Sequence, residues 1–144
     1  MSGKSPLFLI PRWSGYVELV SRDTELELLP VDTIRDVPDA CDLVMRGVAR
    51  AWCVDIHLFV ATGRCKQYIA DARMVAMSIA YRWEIGSTTT VGEKFNRDHT
   101  SVVHAVKKLQ SIVTKSVHHR QNYLNSLKYI ADLYLELKPD ETRT

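Results

Sequence analysis

Two amphipathic helical patterns separated by a short polar break, between Thr89 and Val113, constrain this chain more than any other feature. The first, Thr89 to Phe95, carries its apolar side chains at Val91 and Phe95. A tight break at Asn96-Arg97 follows. The second pattern opens with the hydrogen-bonding side chains of Asp98, His99, Thr100 and Ser101, then places Val102, Val106, Leu109 and Val113 on one helical stripe. Two helices joined by a few residues, the second amphipathic and polar at its start, predict a helix-turn-helix. In that arrangement the polar tip is free to reach base edges while the apolar stripe anchors the helix from behind.

The remaining pattern is also helical from Asp39 onward. Pro38-Asp39 reads as a start signal, and Val44, Val48, Ala51 and Trp52 predict a helix over about 39–53. Ile56, Leu58, Phe59 and Val60 suggest one or two further turns. Thr62-Gly63-Arg64-Cys65-Lys66-Gln67 reads as a basic loop. A long helix over 68–84 follows, with Ile69, Ala72, Val75, Ala76, Ile79 and Trp83 on one face and Gly86 as its stop. Ser87 or Thr88 is placed to cap the next helix. A last helix over 117–137 has a wide apolar face of Leu124, Leu127, Ile130, Leu133 and Leu137 with Tyr123 and Tyr134, and Pro139 behind it. That face either packs back on the core or pairs with a second subunit as a homodimer contact. Residues 1–37 are interrupted by Pro6, Pro11, Gly15 and Pro30. The segments Tyr16 to Val20 and Glu25 to Leu29 alternate only partly, as two strands of a hairpin or an extended arm would.

Length and charge narrow the function classes. At 144 residues the chain suits one domain with a small appendage. Residues 1–40 hold four Lys/Arg against seven Asp/Glu, whereas residues 41–144 hold 15 basic and 10 acidic side chains. A basic domain behind an acidic leader fits a polyanionic partner or an unevenly solvated surface. Cys41, Cys53 and Cys65 form no C-x-x-C pair and are odd in number, so buried or idle thiols are expected rather than a metal knuckle or disulfide framework. The apolar stretches are too short for a bilayer span, and the N-terminus lacks a signal-peptide pattern. No Walker A run (G-x-x-x-x-G-K-S/T), nucleophile elbow or metal-ligand cluster occurs. The expectation is a cytoplasmic, nucleoid-associated protein with no enzymatic activity, cofactor, metal or nucleotide.

The run Arg97-Asp98-His99-Thr100-Ser101-Val102-Val103-His104-Ala105 resembles the signature of the C-terminal DNA-binding domain, domain IV, of the bacterial replication initiator DnaA. Arg73-Met74-Val75-Ala76-Met77-Ser78-Ile79-Ala80 is similar to that family's Arg-Gln-x-Ala-Met-x-Leu-Ala helix, and Thr90-Val91-Gly92-Glu93-Lys94-Phe95 to its Pro-x-Ile-Gly-x-x-Phe segment. Gly63-Arg64-Cys65-Lys66 stands where the family has its basic loop. These segments, in the family's order, span roughly residues 41–113. Asn96 stands where the family usually has glycine, Ser101 replaces a common Thr, and the loop keeps only Arg64 and Lys66.

The resemblance implies that Asp98, His99 and Thr100 read bases in the major groove. An aspartate there accepts from a cytosine amine or caps the helix, a histidine donates to guanine or thymine or simply sits exposed, and a threonine contacts a thymine methyl or a phosphate. Arg97, Ser101 and Lys108 flank the trio, with Arg97 and Lys108 expected near phosphates. Thr89 and Thr90 offer hydroxyls to a phosphate or serve as caps. Arg64 is the candidate for minor-groove insertion, supported on the backbone by Lys66. Arg73 is ambiguous, with Asp71 or Glu84 as salt-bridge candidates, and the resemblance implies a packed or hydrogen-bonded His104 on the core side of its helix.

The sequence thus predicts a mainly α fold, a helix-turn-helix bundle of the DnaA domain IV or Trp-repressor kind. Its expected parts are an irregular or β-hairpin segment at 1–38, the DNA-binding domain at 39–115, a C-terminal helix at 116–138 and a tail at 139–144. The expected function is sequence-specific binding of double-stranded DNA at DnaA-box-like or related sites, in transcription or replication control. The alternative is a protein–protein interaction module on the same scaffold that has lost DNA binding. Phage, plasmid and chromosomal settings are all compatible.

Overall fold

In the computed structural model the described residues are 34–137, so the hairpin-or-arm reading of the N-terminal segment and the stop at Pro139 lie outside them. Five α-helices follow in order: α1 (Ala40–Trp52), α2 (Gln67–Arg82), α3 (Thr88–Lys94), α4 (His99–Val113) and α5 (Val117–Leu137). A 3-10 turn, Ile56–Phe59, lies between α1 and α2. The described residues contain no strand.

Helix α1 is the central strut. Only Asp42, Arg46 and Arg50 on it face solvent, spaced four residues apart, and every other residue is buried. On the exposed stripe Arg46 pairs with Asp42 at 3.7 Å, and Arg50 lies 4.8 Å above the ring of Tyr129 on α5. The buried faces of α1 receive α5 on one side and α2 on another. Helix α5 comes so close that a Cβ on Gly47 would collide with Cγ1 of Ile130 and stand 2.9 Å from its backbone nitrogen. Glycine is required there by contact, not by its own dihedral angles. The apolar face of α5 is therefore used within the chain: Tyr123, Leu124, Leu127, Ile130, Leu133 and Tyr134 are all buried. Leu137, read as part of that face, is exposed, as is Leu135.

The start of α5 is fixed by a polar cluster. Asp71 on α2 is almost completely buried, and its carboxylate accepts from Lys115 Nζ at 2.6 Å and Gln67 Nε2 at 2.9 Å. His119 Nε2 lies 3.1 Å from the same carboxylate, and its ring meets Trp52 edge-on at 5.2 Å. Burial alone would push the Asp71 carboxyl up, but the hydrogen bonds from Lys115, Gln67 and His119 outweigh it and hold the group below the usual carboxylate range. Tyr68 completes the joint: its hydroxyl donates to the Trp52 carbonyl and accepts from Asn122 on α5.

Two helix boundaries arise differently from the sequence expectation. Helix α2 is stopped not by Gly86 but by Glu84, whose φ of 62° is left-handed. Glu84 N–H donates to the Tyr81 carbonyl and Ile85 N–H reaches back to Ala80, closing the helix end as a C-terminal glycine usually does. Gly86 instead makes room for the Thr90 and Val91 side chains. Asp39 occupies the N-cap position of α1 but is itself left-handed, with no side-chain capping bond.

Candidate nucleic-acid interface

Helices α3 and α4 are held at their angle by the four residues between them. Ser87 caps α3, accepting from the Thr90 N–H at 3.1 Å, so the capping role falls to the serine. Phe95 is fully buried and its ring lies 6.3 Å from that of Phe59 in the 3-10 turn. Asn96 then turns the chain with φ 58°. Asparagine is the side chain that best tolerates this left-handed region after glycine, which explains how it occupies a position where the resembling family usually has glycine. The Arg97 N–H folds back onto the Gly92 carbonyl at 2.8 Å. At this crossing a Cβ on Gly92 would stand 2.8 Å from the Arg97 carbonyl oxygen and 3.2 Å from the Asp98 carbonyl carbon and oxygen. Gly92 lets α3 touch the turn backbone to backbone.

Helix α4 buries Val102, Ala105, Leu109, Ile112 and Val113 against the rest of the bundle, with α2 and α3 as its chief neighbours. Its outward face carries His99, Thr100, Val103, His104, Lys107 and Lys108, all exposed. Asp98, at the N-cap position, makes no side-chain capping bond; its carboxylate accepts from the Thr100 hydroxyl at 2.9 Å and lies 3.0 Å from His99 Nδ1. The Thr100 hydroxyl, more than any other neighbour, holds the Asp98 carboxyl below its usual range. The three side chains implied as base readers are thus joined in one exposed cluster at the helix tip, with Ser101 half-exposed beside them. The packed role expected for His104 is not what the fold provides. Four residues past Thr100, it sits on the same exposed face.

Between α2 and α4 runs an open groove of about 650 Å³. Arg73, Met74 and Met77 line it from α2, Thr100, Ser101, His104 and Lys108 from α4, and Arg97 from the turn. It is a basic trough ending at the trio. The salt bridges considered for Arg73 are both taken by others: Asp71 is held by Lys115, Gln67 and His119, and Glu84 pairs with Arg35 at 2.7 Å. Arg73 instead reaches Cys65 Sγ at 3.7 Å, at the end of the basic loop. Arg73 and His104 join the groove through helix packing, and the helical pattern alone gave no sign of it.

The basic loop, residues 60–66, is exposed apart from half-buried Val60, and Gly63 takes a φ of 96° at its tip next to Arg64. Lys66 stands at the N-cap position of α2. The fold places this loop beside the helix-turn-helix turn, because the Asn96 side chain donates to the Val60 carbonyl at 3.2 Å and Arg97 Nη2 donates to the Ala61 carbonyl at 2.8 Å. Arg97 Nη1 lies 3.1 Å from the Asn96 carbonyl and 3.3 Å from that of Phe95. The guanidinium expected near a phosphate is therefore turned toward the protein's own backbone. Burial, then the neighbouring Arg73, depress its affinity for the proton. Thr89 is exposed on α3, while the Thr90 hydroxyl accepts from Ser87 Oγ.

A short buttressing helix, a tight left-handed turn and a second helix with an exposed polar tip define a helix-turn-helix domain, the class of fold that reads duplex DNA by inserting its second helix. The family model described as the bacterial dnaA protein helix-turn-helix matches residues 41–109 of the chain. That segment is similar to the DnaA-type helix-turn-helix, a DNA-binding domain. Among the described residues no helix is long and apolar enough to cross a membrane, and no group of three or more His, Cys, Asp or Glu is placed to hold a metal ion. Cys41 is buried, which pushes its thiol up to about 11, and Cys53 and Cys65 are exposed free thiols.

Proposed function

We propose that this chain binds double-stranded DNA sequence-specifically, in transcription or replication control, reading a DnaA-box-like or related site. The observation that carries the reading is the exposed Asp98, His99 and Thr100 cluster at the tip of a buttressed α4, with the Arg64 loop fastened to the same turn. The trio enters the major groove, where each well-formed bidentate base contact is worth about 1–3 kcal/mol of discrimination. Arg64 follows the adjacent minor groove, with Lys66 on the backbone. Arg73 and Lys108, on opposite walls of the basic groove, neutralise phosphates, and the exposed Thr89 adds a hydroxyl at the start of α3. Such a protein works in the compartment that holds the genome.

Fluorescence anisotropy with a labelled duplex bearing a DnaA box, against a scrambled duplex, tests this directly. Wild type is expected to prefer the box, His99→Ala to lose the preference, and Arg64→Ala to lose affinity. A preference for a different duplex would keep the DNA reader and discard the box. Absence of DNA binding even at low salt, where phosphate neutralisation is strongest, would leave the protein-interaction reading.

A further inference from the structure

We propose that Arg97, assisted by Asn96, is a positioning residue that sets the spacing between the basic loop and the tip of α4, so that both grooves are engaged in register. This rests on the two-groove reading above. The backbone of Arg97 is clamped onto α3 through its N–H bond to Gly92, at the contact where only a glycine fits. Its side chain, starting from that fixed point, spans to the Ala61 carbonyl 36 residues earlier and to two carbonyls of its own turn. Asn96 makes a second link of the same separation, to Val60. The buried rings of Phe59 and Phe95, 6.3 Å apart, tie the residues that precede the loop and the turn to each other. At the other end of the loop Arg73, from α2, reaches Cys65. The segment Thr62-Gly63-Arg64 is left as the free tip between two anchored ends.

A planar guanidinium suits this task, because its fork of donors meets several carbonyls at once while a lysine ammonium on a flexible stem does not hold the same geometry. With its donors aimed at backbone oxygens, the cation is expected to contribute little to phosphate binding. Loop and helix contacts then pay off together, since a reader whose two parts are already spaced for adjacent grooves loses less freedom on binding.

The test uses the full chain with Arg97→Gln, Arg97→Lys and Asn96→Ala, each alone and with Arg64→Ala. Backbone ¹⁵N relaxation on the free protein comes first. Order parameters at Gly63, Arg64 and Cys65 are expected to fall in Arg97→Gln and in Arg97→Lys, with α2 and α4 unchanged. In DNA binding, the fold-loss caused by Arg64→Ala is expected to shrink in the Arg97→Gln background, and Arg97→Lys is expected to behave like Arg97→Gln. Asn96→Ala should show the same trend more weakly while leaving every cation in place. The proposal is overturned if loop order is unchanged. It is also overturned if the Arg64 and Arg97 losses multiply independently, Arg97→Lys restores affinity, and Arg97→Gln lowers the salt slope by about 1, the signature of a direct phosphate contact. Wild type without duplex preference would sink the two-groove reading, while the relaxation data would still decide the latch.

Discussion

Gly92→Ala separates two physical effects by sign. In a helix interior, alanine is favoured over glycine by about 1 kcal/mol, so on propensity alone the variant should be more stable. The contact with the turn predicts the opposite. The new methyl would meet the Arg97 carbonyl oxygen at 2.8 Å and the Asp98 carbonyl group at 3.2 Å. These are backbone atoms of a turn already held by the Arg97 to Gly92 hydrogen bond, so they have no rotamer by which to retreat. Overpacking of this kind costs typically about 1–3 kcal/mol. Subtracting the propensity gain leaves a net loss of roughly 0–2 kcal/mol, and a loss of 1 kcal/mol lowers Tm by about 4–8 °C in a domain of this size. The same displacement pushes Asp98 outward and disturbs the trio, so DNA affinity should fall by more than stability explains. Differential scanning calorimetry beside anisotropy titrations measures both, with exposed Glu93→Ala as the control expected to change stability by less than about 0.5 kcal/mol. A Tm above wild type for Gly92→Ala would refute the backbone contact.

Four further outcomes follow from the fold. Asp71→Ala removes the acceptor shared by Lys115, Gln67 and His119 and should cost about 1–3 kcal/mol in chemical denaturation, the scale of hydrogen bonds lost at a buried group whose cationic partner Lys115 keeps access to water. Because the Asp71 carboxyl is held below its usual range when folded, its contribution is complete at neutral pH and is lost as pH falls from about 4 through the folded value; a wild-type stability that rises on acidification through that window contradicts the linkage. Glu84→Gly relieves a left-handed residue and should raise stability by up to about 1 kcal/mol, less what the exposed Arg35 pair contributes, with an unchanged or lower Tm counting against it. Gly47→Ala, whose methyl would collide with Ile130, should destabilise the α1–α5 packing by more than Gly92→Ala does, and an equal or smaller loss in urea melts would mean that α5 yields easily.

Helix positions were legible because they depend on local spacing. The stripe of Val102, Leu109 and Val113 and the cap at Ser87 lie where the pattern puts them, within a residue or two. The left-handed stop at Glu84 was not legible, since glutamate does not advertise that conformation, nor was the left-handed Asp39 at the start of α1, where an aspartate normally reads as a side-chain cap. Nor was the Asp71 joint, whose partners Lys115 and His119 lie 44 and 48 residues away. His104 was read as packed from the family resemblance and is exposed, although the stripe of Val102, Leu109 and Val113 already turns position 104 to the far side of the helix. Arg97 illustrates the deeper limit: its position beside the trio is written in the sequence, but the direction of its guanidinium depends on where the loop comes to rest. The exposed cluster at the tip of α4 was itself legible as a run of adjacent residues, and its hydrogen bonds among Asp98, His99 and Thr100 are local enough to follow from that adjacency.

The close seating of Ile130 over Gly47 has a bearing on where this domain begins and ends as a physical object. The stretch matched by the family stops at residue 109, inside α4. Yet one whole flank of α1 finds its apolar cover only some twenty residues later in the chain. What is recognised as a module is thus smaller than what melts as one. A fragment trimmed to the matched borders should be soft and dye-binding rather than cooperative, and a graft of this reader onto another protein should carry α5 with it.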